Sequence, residues 1–269
     1  MKEIQMHILM TGTSGYIGSH LLKAVARTFP YDLISVCDAK EGQDYSTLQG
    51  HTFDVVFHLG ALSILGGSVE LADKMMQVNA LNLIPFFQNN TVKKFIFSSS
   101  GAVYGERETP AKEEDAHWNK CLNPYAQSKF IAEGIINRLC PNNFIARFGN
   151  VFGGHVPERA ETLALTHFKN DNPIVVFGGD QVRDFIHVDL ICKALIRASG
   201  EEYTGTFNLA HGHSTRLGDL AEHFGKLRGV EVVYKPARKE DVKSTLLDPS
   251  KAIDAGLIPS GRPNNDYEG

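Results

Sequence analysis

An α/β fold, a doubly wound parallel sheet with a smaller α/β cap, is predicted by three features of this 269-residue chain. Strand-like and helix-like apolar patterns alternate over residues 1–150, a glycine-rich turn joins the first strand to the first helix, and an aspartate closes the second strand. His7 to Met10 is the first strand. From Tyr16 to Phe29 apolar residues recur at helical spacing (Ile17, Leu21, Leu22, Val25), and Pro30 stops that helix. Leu33 to Cys37, Val55 to Leu59 and Phe95 to Phe97 are apolar runs bounded by polar or turn residues, as suits a parallel sheet covered on both faces. Val69 to Phe87 is apolar on nearly every side and reads as one helix buried by its own sheet and by a further partner, such as a second subunit. After Asn150 the alternation loosens into pieces punctuated by Gly153, Gly154, Pro157, Pro173, Gly178 and Gly179, with a later helix from Leu217 to Leu227.

Composition excludes several classes of function. With 42% hydrophobic and 22% charged residues, the chain has the makings of a real core rather than of a disordered segment. Lys and Arg number 27 against 31 Asp and Glu, and no basic run stands out, so no nucleic-acid partner is expected. No stretch reaches the ~18 apolar residues of a membrane span, and Lys2, Glu3, Gln5 and His7 interrupt the place of a signal peptide. No membrane partner and a cytoplasmic location are therefore expected. Cys37, Cys121, Cys140 and Cys192 are far apart and form no CxxC pair, so neither zinc nor a disulfide framework is indicated. His211 and His213 lack a third ligand nearby and read as a polar loop, while His58 and His187 read as satisfied core groups; no metal is expected.

Gly12, Gly15 and Gly18 sit where the pyrophosphate of a dinucleotide would rest on backbone N–H groups at the positive end of a helix dipole. Asp38 follows Gly18 by twenty residues and ends the second strand, where a carboxylate accepts hydrogen bonds from the adenosine ribose and repels a 2′-phosphate. This pattern is that of a Rossmann domain and favours NAD over NADP. Residues 1–150 are assigned to it, with 184–211 returning to it. Residues 151–183 and 212–259 form a substrate-binding cap, and 260–269 a polar tail.

Tyr125 and Lys129 lie four apart on one face of a helix defined by Phe130, Ile131, Ile135, Ile136 and Leu139. A nearby ammonium and an oxidised nicotinamide would lower the phenol from its usual ~10 and make it a general base near neutrality. Ser98, Ser99 and Ser100 terminate the strand at Phe97, so their hydroxyls project from the carboxyl edge of the sheet, where open α/β folds bind ligands.

These residues carry a resemblance. The chain resembles the extended short-chain dehydrogenase/reductase superfamily, and within it the NAD-dependent epimerase/dehydratase family, most closely the UDP-glucose 4-epimerase type. The likeness covers Thr11 to His20, Asp54 to Ala61, Asn79, Ser98 to Gly105, Pro124 to Lys129, Arg147 to Gly153, Arg183 to Asp189, Phe207 to Ala210 and Arg238 to Ala252. The resemblance implies that Tyr125, Lys129 and Ser100 are catalytic, with Tyr125 taking the proton of a sugar C4 hydroxyl and Ser100 positioning that oxygen. It implies cofactor contacts at Gly12, Gly15, Tyr16, Ile17, Gly18, Asp38, Leu59, Gly60, Ala61, Asn79, Ser98, Tyr125 and Lys129. Ser100, Asn150, Arg183, Arg238, Asp241 and Thr245 would meet a nucleotide-sugar, a UDP-sugar in the first instance, and the assembly would be a homodimer. A sugar-nucleotide reductase or dehydrogenase would use the same Tyr125, Lys129 and Ser100, and a non-catalytic NAD-binding protein would need none of them.

The resemblance also has gaps. Dehydratases of the superfamily place Asp-Glu after the catalytic hydroxyl, whereas this chain has Gly101 and Ala102, which transfer no proton. The stretch from Asp38 to Asp54 is too short for the usual third strand and its helix. Gly60 stands where Ala is usual, which would slightly loosen the packing beside the cofactor. Thr245 stands where hexose-restricted epimerases carry a bulky aromatic, so N-acetylhexosamine nucleotides are expected to fit as well.

Overall fold

The structure is a computed structural model, and it describes residues 5–63, 68–155, 164–237 and 242–261. Its centre is a six-stranded, all-parallel sheet in the order β2-β1-β3-β4-β5-β9, formed by β1 (His7–Thr11), β2 (Leu33–Cys37), β3 (Thr52–His58), β4 (Thr91–Ser100), β5 (Asn143–Phe148) and β9 (Gly205–Leu209). Side chains alternate across each strand, so each strand feeds two cores. Ile8, Met10, Val55 and Phe57 pack on one face with Leu21 and Val25 of α1 (Tyr16–Thr28) and Ile191 and Leu195 of α6 (Val188–Arg197). Leu9, Phe53 and Val56 pack on the other with Leu83 and Phe86 of α3 (Leu83–Asn89) and Ala132 and Ile136 of α4 (Pro124–Leu139).

The short Asp38 to Asp54 stretch explains the strand order. It holds only two 3-10 turns, Ala39–Glu41 and Tyr45–Thr47, and β3 lands beside β1 on the side away from β2. The winding reverses between β1 and β3. At such a switch point the loops after the two strands diverge and leave a crevice.

The segment from Val69 to Phe87 is not the single helix that its apolar pattern predicts. It divides into α2 (Val69–Met76), a π-helical turn (Gln77–Leu81) and α3. Pro85 supplies the reason, since proline lacks an N–H and its ring crowds the carbonyl four residues back, at Leu81. Much of the apolar excess read as a subunit contact is internal, because Ala80, Leu83 and Phe86 pack against α4 residues over the sheet. Val69, Leu81 and Leu139 remain exposed.

A second unit sits beyond the carboxyl edge. β8 (Val182–His187) pairs with β10 (Ser214–Arg216), β12 (Ser244–Thr245) and β6 (Asn150–Phe152), and β7 (Ile174–Phe177) pairs with β11 (Val232–Lys235). α5 (Ala164–Asn170) and α7 (Leu217–Arg228) cover it through a core that includes Phe168, Ile174, Leu220 and Phe224. The domain boundary expected between Arg183 and Asp184 falls inside β8. No helix among the described residues is long and apolar enough to cross a membrane, and all four cysteines are buried and free.

Candidate active site

Two backbones touch at the switch point. Gly12 takes a positive φ of 70°, and a Cβ built on it would lie 2.5 Å from the Gly60 nitrogen. A Cβ on Gly18 would run into the Gly12 carbonyl. Only glycines let the turn close this far, and the closure aims the first-turn amides of α1, which helix geometry leaves without helical partners, into open space. Gly60 does not loosen this packing. Its N–H donates to the Thr11 hydroxyl at 3.1 Å, and a Cβ there would lie 3.2 Å from the same oxygen, so glycine gives the closer fit.

The open space is a cavity of about 470 Å³ along the carboxyl ends of the strands. Gly12, Gly15, Tyr16, Ile17, Gly18, Leu59, Ala61, Ser98, Ser100, Tyr125, Lys129 and Asn150 line it, so most of the sequence-derived site residues meet at one cavity. Ser14, Lys40, Ser63, Ser99, Phe148, Gly149 and Val151 also line it and were not named as site residues; Ser14, a hydroxyl inside the glycine turn, and Ser99, in the serine run at the strand end, carried a signal. Gly60, Asp38, Asn79, Arg183 and Thr245 are not among the lining residues. Arg238 and Asp241 lie outside the described residues.

Asp38 faces the turn rather than the cavity. Its carboxylate accepts from the Ser14 N–H at 2.7 Å, the Ser14 hydroxyl at 2.8 Å, the Lys40 N–H at 3.0 Å and the Thr13 hydroxyl at 3.3 Å. Burial alone would raise its pKa, but these bonds together hold it below the usual carboxylate range. A bound ribose would share oxygens that already staple the glycine turn. Asn79, in the π-helical turn, is likewise engaged: its amide bonds the Leu62 N–H at 2.7 Å, the Leu62 carbonyl at 3.0 Å and the Ser128 hydroxyl at 3.0 Å. It ties the loop after β3 to α4. Tyr16 donates to the Gly153 carbonyl at 2.5 Å and links the turn to the second unit.

The polar trio converges at the end of β4. Asn123 caps α4 by accepting from the Ala126 N–H at 2.9 Å, and Pro124 opens its first turn, which starts the helix beside the strand end. Lys129 is 1% exposed; its ammonium donates to the Ser98 carbonyl at 2.7 Å and stands 4.6 Å from the Phe97 ring centroid and 5.9 Å from that of Tyr125. Burial presses its pKa down to about 7, against a pull upward from Glu133. The Tyr125 phenol is raised by burial, with a hydrogen bond to Ser100 drawing it back. The expected lowering by Lys129 is not found: the hydrogen bond to Ser100 is the lowering influence, and burial outweighs it. Ser100 Oγ also accepts from the Ala102 N–H at 3.2 Å, which fixes the hydroxyl over the cavity.

His58 is only half satisfied: Nδ1 pairs with the Thr11 hydroxyl at 2.9 Å, but Nε2 has no partner, and burial drives the ring down to about 3. His187 caps α6 through the Asp189 N–H at 3.2 Å. Among the described residues no group of histidine, cysteine, aspartate and glutamate side chains is arranged to hold a metal. The second sheet pairs Arg183 with Thr245 in register; Arg183 donates to the Val182 carbonyl at 2.9 Å, and the Thr245 hydroxyl is buried without a partner.

A glycine turn at a switch point, with a Ser, Tyr and Lys lining the same cavity, defines a nicotinamide-dependent enzyme of the short-chain dehydrogenase/reductase superfamily. The chain belongs to the NAD dependent epimerase/dehydratase family, whose profile matches residues 8–210. It is similar to UDP-glucose 4-epimerase of Bacillus subtilis (strain 168), 30% identical over 92% of this chain and 90% of the relative. Among solved structures, UDP-N-acetylglucosamine 4-epimerase from Methanobrevibacter ruminantium M1, in complex with UDP-N-acetylmuramic acid, superposes with a TM-score of 0.82 at 28% identity, covering 98% of this chain and 95% of that one. An NAD-dependent NDP-hexosamine 5,6-dehydratase of tunicamycin biosynthesis shares the fold, with a TM-score of 0.81 at 20% identity over 98% and 94% of the two chains. The cradle fits the cofactor of the family, since its glycine contacts would not survive a single added Cβ.

Replacing Gly12 with alanine should destabilise the fold by ~1–3 kcal/mol, through a strained φ and the contact with Gly60, and abolish NAD retention. Thermal melts and the absorbance of released cofactor check both, and an unchanged NAD content would remove the turn from the binding site.

Proposed function

We propose that the protein is an NAD-dependent sugar-nucleotide 4-epimerase that acts on a UDP-hexose or a UDP-N-acetylhexosamine through a transient 4-keto sugar. The observation that carries this reading is that Tyr125, Lys129 and Ser100 line one cavity, with Gly101 and Ala102 following Ser100 in the chain. NAD, when bound, supplies a reversible hydride acceptor for the sugar C4. The chain supplies the rest. Tyr125 removes the C4 hydroxyl proton and later returns it, and Ser100 holds that oxygen in line. Lys129, close to its own midpoint, offsets the negative charge that gathers on the phenol. Gly101 and Ala102 transfer no proton, and a Cβ at Gly101 would lie 2.9 Å from the Leu247 side chain and 3.2 Å from the Phe148 carbonyl, so an acid there, as a 4,6-dehydration needs, would have to displace its neighbours.

Asn150, on the cavity wall, and Arg183, with Arg238 and Asp241 from the same family pattern, are assigned to the nucleotide diphosphate and sugar. The curated and structural relatives, which include epimerases named for UDP-glucose and for UDP-N-acetylglucosamine, support a UDP-sugar. The exposed Val69, Leu81 and Leu139 support a homodimer through α2, the π-helical turn and α4.

Incubation with UDP-glucose and no added reductant should give the equilibrating C4 isomer by NMR, and a Tyr125→Phe variant should keep its NAD and lose turnover by about 10²–10⁴-fold. Stoichiometric consumption of NADH would point instead to a reductase, and equal activity of the variant would remove the assignment of Tyr125. Thr245→Tyr should cut turnover of UDP-N-acetylglucosamine by about tenfold or more while sparing UDP-glucose; if the parent ignores the acetamido sugar and the variant changes nothing, Thr245 is not a gate. Light scattering should give twice the chain mass of 29.6 kDa, and a monomer would refute the dimer.

A further inference from the structure

Three consecutive residues of β4 meet three successive turns of α4. Ser100 faces Tyr125, the Ser98 carbonyl holds Lys129 at 2.7 Å, and the Ser99 hydroxyl donates to Glu133 Oε1 at 2.5 Å. Tyr125, Lys129 and Glu133 are spaced by four and share one stripe of the helix. The first two contacts belong to the chemistry already described. The third involves a carboxylate that the reaction does not use.

Glu133 is 4% exposed and paired with Arg147 of β5, itself 5% exposed, through Nε to Oε1 at 2.9 Å and Nη2 to Oε2 at 2.6 Å. Arg147 Nη1 donates to the Tyr104 hydroxyl at 2.8 Å and to the Glu113 carbonyl at 2.7 Å. The Tyr104 hydroxyl donates to Asn208 Oδ1 at 2.6 Å, and the Asn208 amide donates to the Ala111 and Asp248 carbonyls at 2.8 and 3.0 Å. None of these side chains leaves a buried polar atom unpaired. Stability is a poor reason for such a network, because a buried ion pair can often be exchanged for apolar side chains at little loss. Its location is a better one, since it fixes α4 to two strands directly behind the reacting groups.

We propose that Glu133, held by Arg147 and Ser99, is a positioning residue that sets the rotation and height of α4 against the end of β4, so that Tyr125 and Lys129 present to the cavity together. The inference rests on the reading of Tyr125 and Lys129 as the catalytic pair. Glu133 acts on Lys129 electrostatically as well. The charged or titratable groups around that ammonium are Tyr125 and Glu133 on its own helix, His58 on β3 and Arg147 behind Glu133 on β5. His58 is neutral there, so among the described residues Glu133 is the anion that favours the ammonium. Neutralising it lowers the Lys129 midpoint, and Lys129 then sheds its proton at lower pH.

The test uses the full-length, NAD-loaded protein labelled with ¹⁵N-lysine, titrated by NMR, with kcat and KM measured across pH. Glu133→Gln should lower the Lys129 midpoint by about half a unit or more, reduce kcat by about tenfold or more and leave KM within twofold. Glu133→Gln/Arg147→Met, which removes the stranded cation, should regain the melting temperature but keep the lowered midpoint; it also serves if Glu133→Gln alone does not fold. Ser99→Ala should lower kcat by a few fold with the midpoint unmoved. A midpoint and kcat equal to the parent in the double variant and in Ser99→Ala, with only melting affected, would overturn the proposal. If the parent turns over no sugar, the epimerase reading fails while the midpoints still decide this one.

Discussion

Placing the Lys129 ammonium out of water beside the end of β4 is unfavourable by itself, because a buried cation loses its hydration. Three neighbours offset the loss: the Ser98 carbonyl as acceptor, the Phe97 ring face as a cation–π partner, and Glu133 one turn away. Each lies on an element whose position depends on the sheet. Ser98 lies one residue past the last β3 partner of β4, the His58–Phe97 pair, while β4 stays in register with β5, so the position of its carbonyl follows from where β3 stops. The ammonium is therefore a gauge of the whole assembly, and a shift of one residue in β4 would turn the serine hydroxyls to the opposite faces.

The parallel sheet and the glycine turn were legible because both are written in local patterns. Continuous apolar strands, amphipathic helices and glycines at a strand end each report on their own neighbourhood. The tight approach of Gly12 to Gly60 was not legible, since it joins residues that are distant in sequence and depends on β3 landing beside β1. The break in the helix at Val69 to Phe87 was masked by apolar residues on both sides of Pro85. Its consequence is local: the π-helical turn brings Asn79 to the loop after β3, where its amide bonds Leu62 and Ser128.

The Glu133–Arg147 pair illustrates a different limit. Each residue sits in an otherwise apolar stretch, and a charge in such a stretch is a hint that a partner exists. The hint carries no address. Two charges in two elements become a pair only when the sheet order places β5 beside β4 and α4 across both, and the network to Tyr104 and Asn208 adds a loop and a third strand. Tyr125 and Lys129 announced themselves because their partner is four residues away; Glu133 did not, because its partner lies on another strand.

Asp38 and Asp184 show how the same device can be set to opposite states. Each carboxylate staples a turn by accepting backbone N–H groups: Asp38 from Ser14 and Lys40, Asp184 from His211 and Gly212 at 2.9 and 2.8 Å. Asp38 adds two hydroxyl donors, and its pKa stays low; Asp184 is fully buried, and burial raises it to about 6 despite its bonds. The signs then differ. The low pKa of Asp38 contributes stability that is present above the unfolded value and is lost only as pH falls through the folded one. Between the ordinary 3.8 and about 6, folded Asp184 holds a proton that the unfolded chain has released, so its contribution declines as pH rises through that window. On mild acidification the turn in the second unit changes its protonation first, while the glycine turn that cradles the cofactor keeps its carboxylate and its shape.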